Sequence, residues 1–275
     1  MVAAARRGET SWDAGTVAAV EGRDWIDRLP AALAAQALLL RRLLDAVERD
    51  ERFRALELYG SLARGNADAD SDVDVRLWIA DERWEQTADE VVPLLRRLGD
   101  EFDVGDEHYP TGRHVFVHYG DGTQIDAVAR PAAEAKGRAP EAIALLDRDG
   151  LLAEPYERES LHEQQRRTWA FWGWLMLGHI DKHLRRGALW EGLDALGSAR
   201  ATLLWLHGAD LGAPSPHLGA TSIFDVPGAD VPEGFAETYA LPDADDVRRA
   251  ARAVAHLLEE AHEPPPIAEW ARGRL

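Results

Sequence analysis

The chain has 275 residues, 46% of them apolar, which is room for two modest domains with real cores and too apolar for wholesale disorder. It has no cysteine, which excludes disulfides and thiolate metal sites, and no apolar run reaches the roughly 20 residues that span a bilayer. Its formal net charge of -18, from 31 basic and 49 acidic residues, repels a phosphate backbone and makes nucleic acid a poor partner, whereas a small cation would be attracted.

Residues 1–22 carry no periodicity and no secretory leader pattern; a loosely ordered segment on a soluble, cytoplasmic protein is expected. From Ala32 the apolar residues Leu33, Ala37, Leu40, Leu44 and Val47 recur at helical spacing, so one amphipathic helix is predicted, ending near Glu48. A short strand is expected at Ala55 to Tyr59, then a turn at Gly60. Val73, Val75, Leu77 and Ile79 alternate with Asp74, Arg76 and Trp78, the period of a strand with one polar face. A helix follows between Trp84 and Leu98, with Pro93 disturbing or starting part of it. Strands are predicted at Glu101 to Val104, His114 to Tyr119 and Thr123 to Ala129, the last two joined as a hairpin by Gly120-Asp121-Gly122. A mixed stretch runs from Pro131 to Gly150.

Beyond Ser160 the pattern is helical only. Helices are predicted over Leu161 to Arg186 and Trp190 to His207, then a Pro- and Gly-rich connection from Gly208 to Pro242. A last helix carries Val247, Ala250, Ala251, Val254, Leu257, Leu258 and Ala261 on one side and stops at Pro264-Pro265-Pro266. The division expected is an N-terminal segment over 1–22, a mixed α/β (α+β) domain over 23–150, and an all-helical bundle over 151–275.

The chemistry lies in Leu58-Tyr59-Gly60-Ser61-Leu62-Ala63-Arg64-Gly65 and in Ser71-Asp72-Val73-Asp74-Val75 just after it. Residues two apart on a strand share a face, so Asp72 and Asp74 present paired carboxylates. Paired carboxylates resist joint ionisation unless a cation stands between them. Mg²⁺ suits such a site, since it takes one or two carboxylates together with substrate phosphates. Asp126, on a later strand, supplies a third carboxylate. Gly60 permits close backbone approach to a phosphate, the Ser61 hydroxyl can hold its oxygens, and the Arg64 guanidinium can fork onto them. A lone Asp-x-Asp is weak, as Asp68 and Asp70 in the same loop show. The combination with Gly-Ser and Asp126 is what carries weight. Arg76 shares the face of Asp72 and Asp74, where it can pair with a carboxylate that the metal needs or touch a phosphate; both stay open.

These motifs resemble the nucleotidyltransferase superfamily that includes DNA polymerase beta. They are closer in style to its small antibiotic-modifying members, the aminoglycoside and lincosamide nucleotidyltransferases. The resemblance covers residues 55 to 130 in detail and only the architecture beyond. It implies a small mixed-sheet nucleotidyltransferase domain followed by a helical bundle, with Asp72, Asp74 and Asp126 as catalytic residues and as Mg²⁺ ligands. Asp126 would complete the metal site or accept the acceptor's proton. Gly60, Ser61 and Arg64 would bind the nucleotide, with Lys182 of the helical domain as a further contact. The implied reaction moves a nucleoside monophosphate, AMP from ATP, onto a hydroxyl of a small acceptor such as an aminoglycoside or lincosamide. Glu107 and His118 are reserve candidates for the base.

In the helical domain Trp169, Trp172, Met176, His179 and His183 fall at three- and four-residue spacing, which reads as core; facing a cleft instead, the rings would stack on an acceptor or base. Lys182, Arg185 and Arg186 also offset a helix C-terminus. Two other functions are weighed. One is an antitoxin-type nucleotidyltransferase acting on a protein partner, which a chain with its own helical domain disfavours. The other is a non-catalytic nucleotide-binding regulator, which an intact set of three carboxylates disfavours. Arg200-x6-His207 is a loose likeness to the Arg/His motif of helical ribonuclease-type toxins and is read as chance.

Overall fold

Among the described residues a six-stranded mixed sheet occupies the first part of the chain, and helices the second. The computed structural model describes residues 22–109, 111–157 and 163–275. The expectation for the N-terminal segment therefore lies almost wholly outside the described residues, as do the first two residues of the helix predicted from Leu161. Two units are resolved, Met1–Arg158 and Glu159–Leu275.

In the first unit the strands are β1 (Phe53–Leu58), β2 (Val73–Ile79), β3 (Glu101–Tyr109), β4 (Gly112–Tyr119), β5 (Gln124–Pro131) and β6 (Ile143–Asp147), in the order β3-β4-β5-β2-β1-β6. β2 and β5 run parallel and every other neighbouring pair is antiparallel. The α-helices among the described residues of this unit are α1 (Gly22–Asp27), α2 (Ala34–Glu48), α3 (Gly60–Arg64) and α4 (Trp84–Arg96). Alternation decides which face they cover. Val73, Val75, Leu77 and Ile79 of β2, with Ile125, Ala127 and Ala129 of β5, are buried in one core with Leu40, Leu43 and Leu44 of α2 and Val91 and Leu95 of α4. Each such Leu or Ile contributes about 1.5–3 kcal/mol by leaving water. The intervening residues Asp74, Arg76, Asp126 and Val128 stay half-buried on the opposite face.

Several elements depart from the pattern read in the sequence. β3 continues five residues past Val104 to Tyr109. It is an exposed edge strand held through β4, so it needs no apolar alternation. β6 arises in the stretch read as mixed and closes the other edge beside β1. Pro93 lies within α4, which continues on both sides of it. The ring is exposed, and so is Asp89, four residues back, whose carbonyl the proline leaves without a helical donor.

In the second unit the described residues form α5 (Glu163–Arg185), α6 (Leu189–Asp210), α7 (Ala220–Phe224), α8 (Ala244–Ala261) and α9 (Ile267–Arg272), with short 3-10 turns between them. α5 and α6 pack along each other, α8 packs on both, and α9 lies on α5. Gly178 allows that last contact, since a Cβ there would lie 1.8 Å from the Trp270 ring. α7 falls within the Pro- and Gly-rich connection, and α9 begins immediately after the three prolines. Among the described residues no helix is long and apolar enough to cross a membrane.

Candidate active site

β1 delivers the chain to a tight corner. The Tyr59 N–H donates to the Asp74 carbonyl at 3.0 Å, after which Gly60 turns with φ of 71° and α3 begins. A Cβ at Gly60 would sit 1.8 Å from Asp74 Oδ2. Glycine is therefore required twice, by the left-handed backbone and by the Asp74 carboxylate lying against it. That is a nearer reason for the glycine than approach of a phosphate. Ser61 is half-buried in the first turn of α3 and Arg64 half-buried in its last, and Gly65 ends the helix with φ of 75°.

Asp74 and Asp126 face each other as register partners on the parallel strands β2 and β5. Asp72 immediately precedes β2, at the end of a loop braced from two sides. Gln36, buried on α2, donates through Nε2 to the carbonyls of Ala69 at 3.0 Å and Ser71 at 3.1 Å. Asp68 accepts from the Asp70 N–H and the Ser71 hydroxyl, at 3.1 and 3.0 Å. Asp68 thus serves the loop, and Gln36 is a positioning residue that its place in an apolar stripe concealed.

The electrostatics follow from this crowding. Burial, and then the charge of Asp126, push the Asp72 carboxyl above its ordinary value. Burial, then Asp126 and Asp74, push the Tyr59 phenol well up. The Arg76 charge offsets the Tyr59 shift only in part. Arg76 pairs with Glu57 on β1 at 2.7 Å, and Glu57, 0% exposed, also accepts the Ala139 N–H at 2.7 Å. The Arg76 guanidinium stacks 5.2 Å from the Tyr59 ring and 5.6 Å from the Trp78 ring. The carboxylate that Arg76 pairs with is the buried Glu57 of β1 rather than one of the aspartates.

Among the described residues no group of three or more His, Asp or Glu side chains is gathered so as to hold a metal ion by itself. The donor set still fits Mg²⁺, which completes its shell with phosphates and water rather than a protein cage. The charge of Asp126 helps to raise the Asp72 carboxyl, the condition a divalent cation relieves.

One side chain at this site was not foreseen. His114, on β4, meets Asp126 Oδ1 through Nε2 at 2.6 Å. The signal for it was the alternation of His114, Phe116 and His118, which puts all three on the face of Asp126. Of the reserve bases, Glu107 lies on exposed β3 and accepts the Tyr109 hydroxyl, and His118 packs edge-on against Phe102 at 5.7 Å.

Lys182 belongs to the second unit, half-buried near the end of α5. Burial, then the Lys182 and His183 charges, hold His179 below the usual histidine range. The aromatic stripe is only partly core. Trp169 is buried, but Trp172 is 49% exposed, because the buried face of α5 runs through Trp169, Gly173, Leu177 and Ile180. Trp169, Trp172, Met176 and Trp205 line a groove of about 570 Å³ between α5 and α6. Arg200 donates to the Thr238 carbonyl and stacks on Tyr239, while His207 meets the Asp230 carbonyl, so both are engaged in local structure.

No protein-family model matches the chain, and no curated protein matches it. Among solved structures it is similar to an aminoglycoside 6-adenyltransferase from Bacillus subtilis, with 15% identity, a TM-score of 0.40, and 86% of this chain and 96% of that one covered. A likeness of that degree settles neither substrate nor mechanism.

Proposed function

We propose that the protein transfers a nucleoside monophosphate from a nucleoside triphosphate, ATP in the first instance, to a hydroxyl of a small acceptor. The observation that carries this reading is the register pairing of Asp74 with Asp126, beside Asp72 and against the Gly60-Ser61 corner. The Asp74–Asp126 pairing, the approach of Asp74 to Gly60 and the influence of Asp126 on Asp72 support the reading. The three carboxylates are a donor set for phosphoryl-type chemistry, in which positioning and charge stabilisation do most of the catalysis.

Asp72, Asp74 and Asp126 would hold Mg²⁺. When bound, the ion supplies neutralisation of the triphosphate and polarisation of its α-phosphorus. Ser61 and the backbone at Gly60 hold phosphate oxygens, and Arg64 adds its planar fork. The acceptor oxygen forms a bond to the α-phosphorus as the bond to pyrophosphate breaks, and the acceptor's proton passes to Asp126. Tyr59 and the three carboxylates are half-buried, which strengthens each charge interaction relative to bulk water. Aminoglycosides and lincosamides are the acceptor classes we favour, the former because a chain of net charge -18 attracts polycations.

Pyrophosphate release from ATP and Mg²⁺ across a panel of both classes tests the proposal. Release should depend on a particular acceptor and fall at least about a hundredfold in Asp74→Asn, the scale on which removal of a key charge-stabilising group acts. Nucleotide binding without release for any acceptor would overturn the small-molecule reading.

A further inference from the structure

Asp126 occupies an awkward place. Its register neighbours are Asp74 on β2, which repels it, and Phe116 on β4, which offers no hydrogen bond. Its side chain is 26% exposed, so solvent meets it only in part. The partner it finds lies on the diagonal, His114, two residues before Phe116 on β4, with Nε2 2.6 Å from Oδ1. Cross-strand diagonals of this kind are within reach of long side chains. An ionised carboxylate only accepts, so the imidazole donates through its Nε2–H. The ring itself is flanked by Val128 on β5 and Glu107 on β3, its register partners. The contact takes one oxygen of Asp126 and leaves Oδ2 for another role.

We propose that His114 is the positioning residue for Asp126: its imidazole N–H fixes Oδ1, and so fixes the carboxylate plane in which Oδ2 meets a divalent cation or the acceptor's proton. The proposal rests on the nucleotidyl-transfer reading of this site. In physical terms, Asp72 and Asp74 crowd Asp126 with like charge from one side, and a carboxylate without a donor would swing away from them. A donor on the far strand holds it in place. Hydrogen-bond partners of metal-binding side chains act in this way, and their loss typically weakens metal binding by about ten- to a hundredfold.

The test is a calorimetric titration of Mn²⁺ into the full chain saturated with an ATP analogue carrying a methylene between the α- and β-phosphorus atoms. Wild type is compared with His114→Phe, which fills the ring's volume without a donor, and with His114→Gln, whose amide N–H can stand at the Nε2 position. Thermal midpoints are recorded alongside, and His114→Leu repeats the donorless case should the phenylalanine variant not fold. Mn²⁺ affinity should fall at least about tenfold in the donorless variant and return to within about threefold of wild type in His114→Gln, with unchanged midpoints. Wild-type affinity in the donorless variant would overturn the role of His114 while leaving the reading of the site intact. Equal loss in His114→Gln would overturn it as well, since the donor would not be what matters. A wild-type chain that takes up no Mn²⁺ with the analogue would overturn the nucleotidyl-transfer reading itself.

Discussion

At the scale of single residues, Asp72 links the proposed chemistry to stability. Its carboxyl is raised by burial and by Asp126, so the folded state binds that proton more tightly than the unfolded chain does. The group's contribution to stability is therefore fullest below the ordinary aspartate value of 3.8 and is lost as pH rises through the raised value. Asp72→Asn removes the loss. The variant should be inactive, yet at least as stable as wild type at neutral pH, with the two urea midpoints converging as pH falls toward 4 (about the unperturbed aspartate value). A variant less stable than wild type at pH 7 would show that the Asp72 charge is already compensated. Such a trade of stability for function is common where charges are held ready for a ligand. Strand alternation made the shared face of Asp74 and Asp126 legible in the sequence, and Gly-Ser marked the corner beside it. The sequence did not reveal His114 or Gln36, whose partners are set by strand order and by a loop's carbonyls, both long-range facts.

At the scale of elements, patterning located those that bury one apolar face and missed those that do not. α2 and α8 carry apolar stripes and fall close to their expected bounds. The far half of β3 is exposed along its length, β6 is five residues long, and α9 is six. None of the three offers a period long enough to read. Pro93 shows the converse error, a breaker tolerated on an exposed helix face. Arg76 and Glu57 could not be paired from sequence because they meet only through the β1–β2 register. The start of α8 is an element-scale feature with a measurable value. Asp243 accepts the N–H groups of Asp245 and Asp246 at 3.0 and 3.1 Å, satisfying donors that the helix cannot. Asp243→Ala should cost about 1 kcal/mol, seen as a fall of about 4 °C in the thermal transition of the helical unit. No change would mean that water satisfies those N–H groups equally well.

At the scale of the whole molecule, the charge of -18 is the property with the widest reach. Carboxylates at the site add to a field already negative, and such a field draws in a polycation from beyond contact distance. Salt shortens that reach, from a Debye length of about 30 Å at 0.01 M to about 8 Å at 0.15 M. With nucleotide held saturating, kcat/KM for a polycationic aminoglycoside should fall about tenfold over that range. For a neutral hydroxylated acceptor it should change less than about twofold, since no net charge is steered. The turnover number should hardly move in either case, because the bound acceptor is already inside the screened region. Equal salt dependence for both acceptors would place the effect on the triphosphate or its cation. A flat response for both would mean that the acidic surface serves solubility alone.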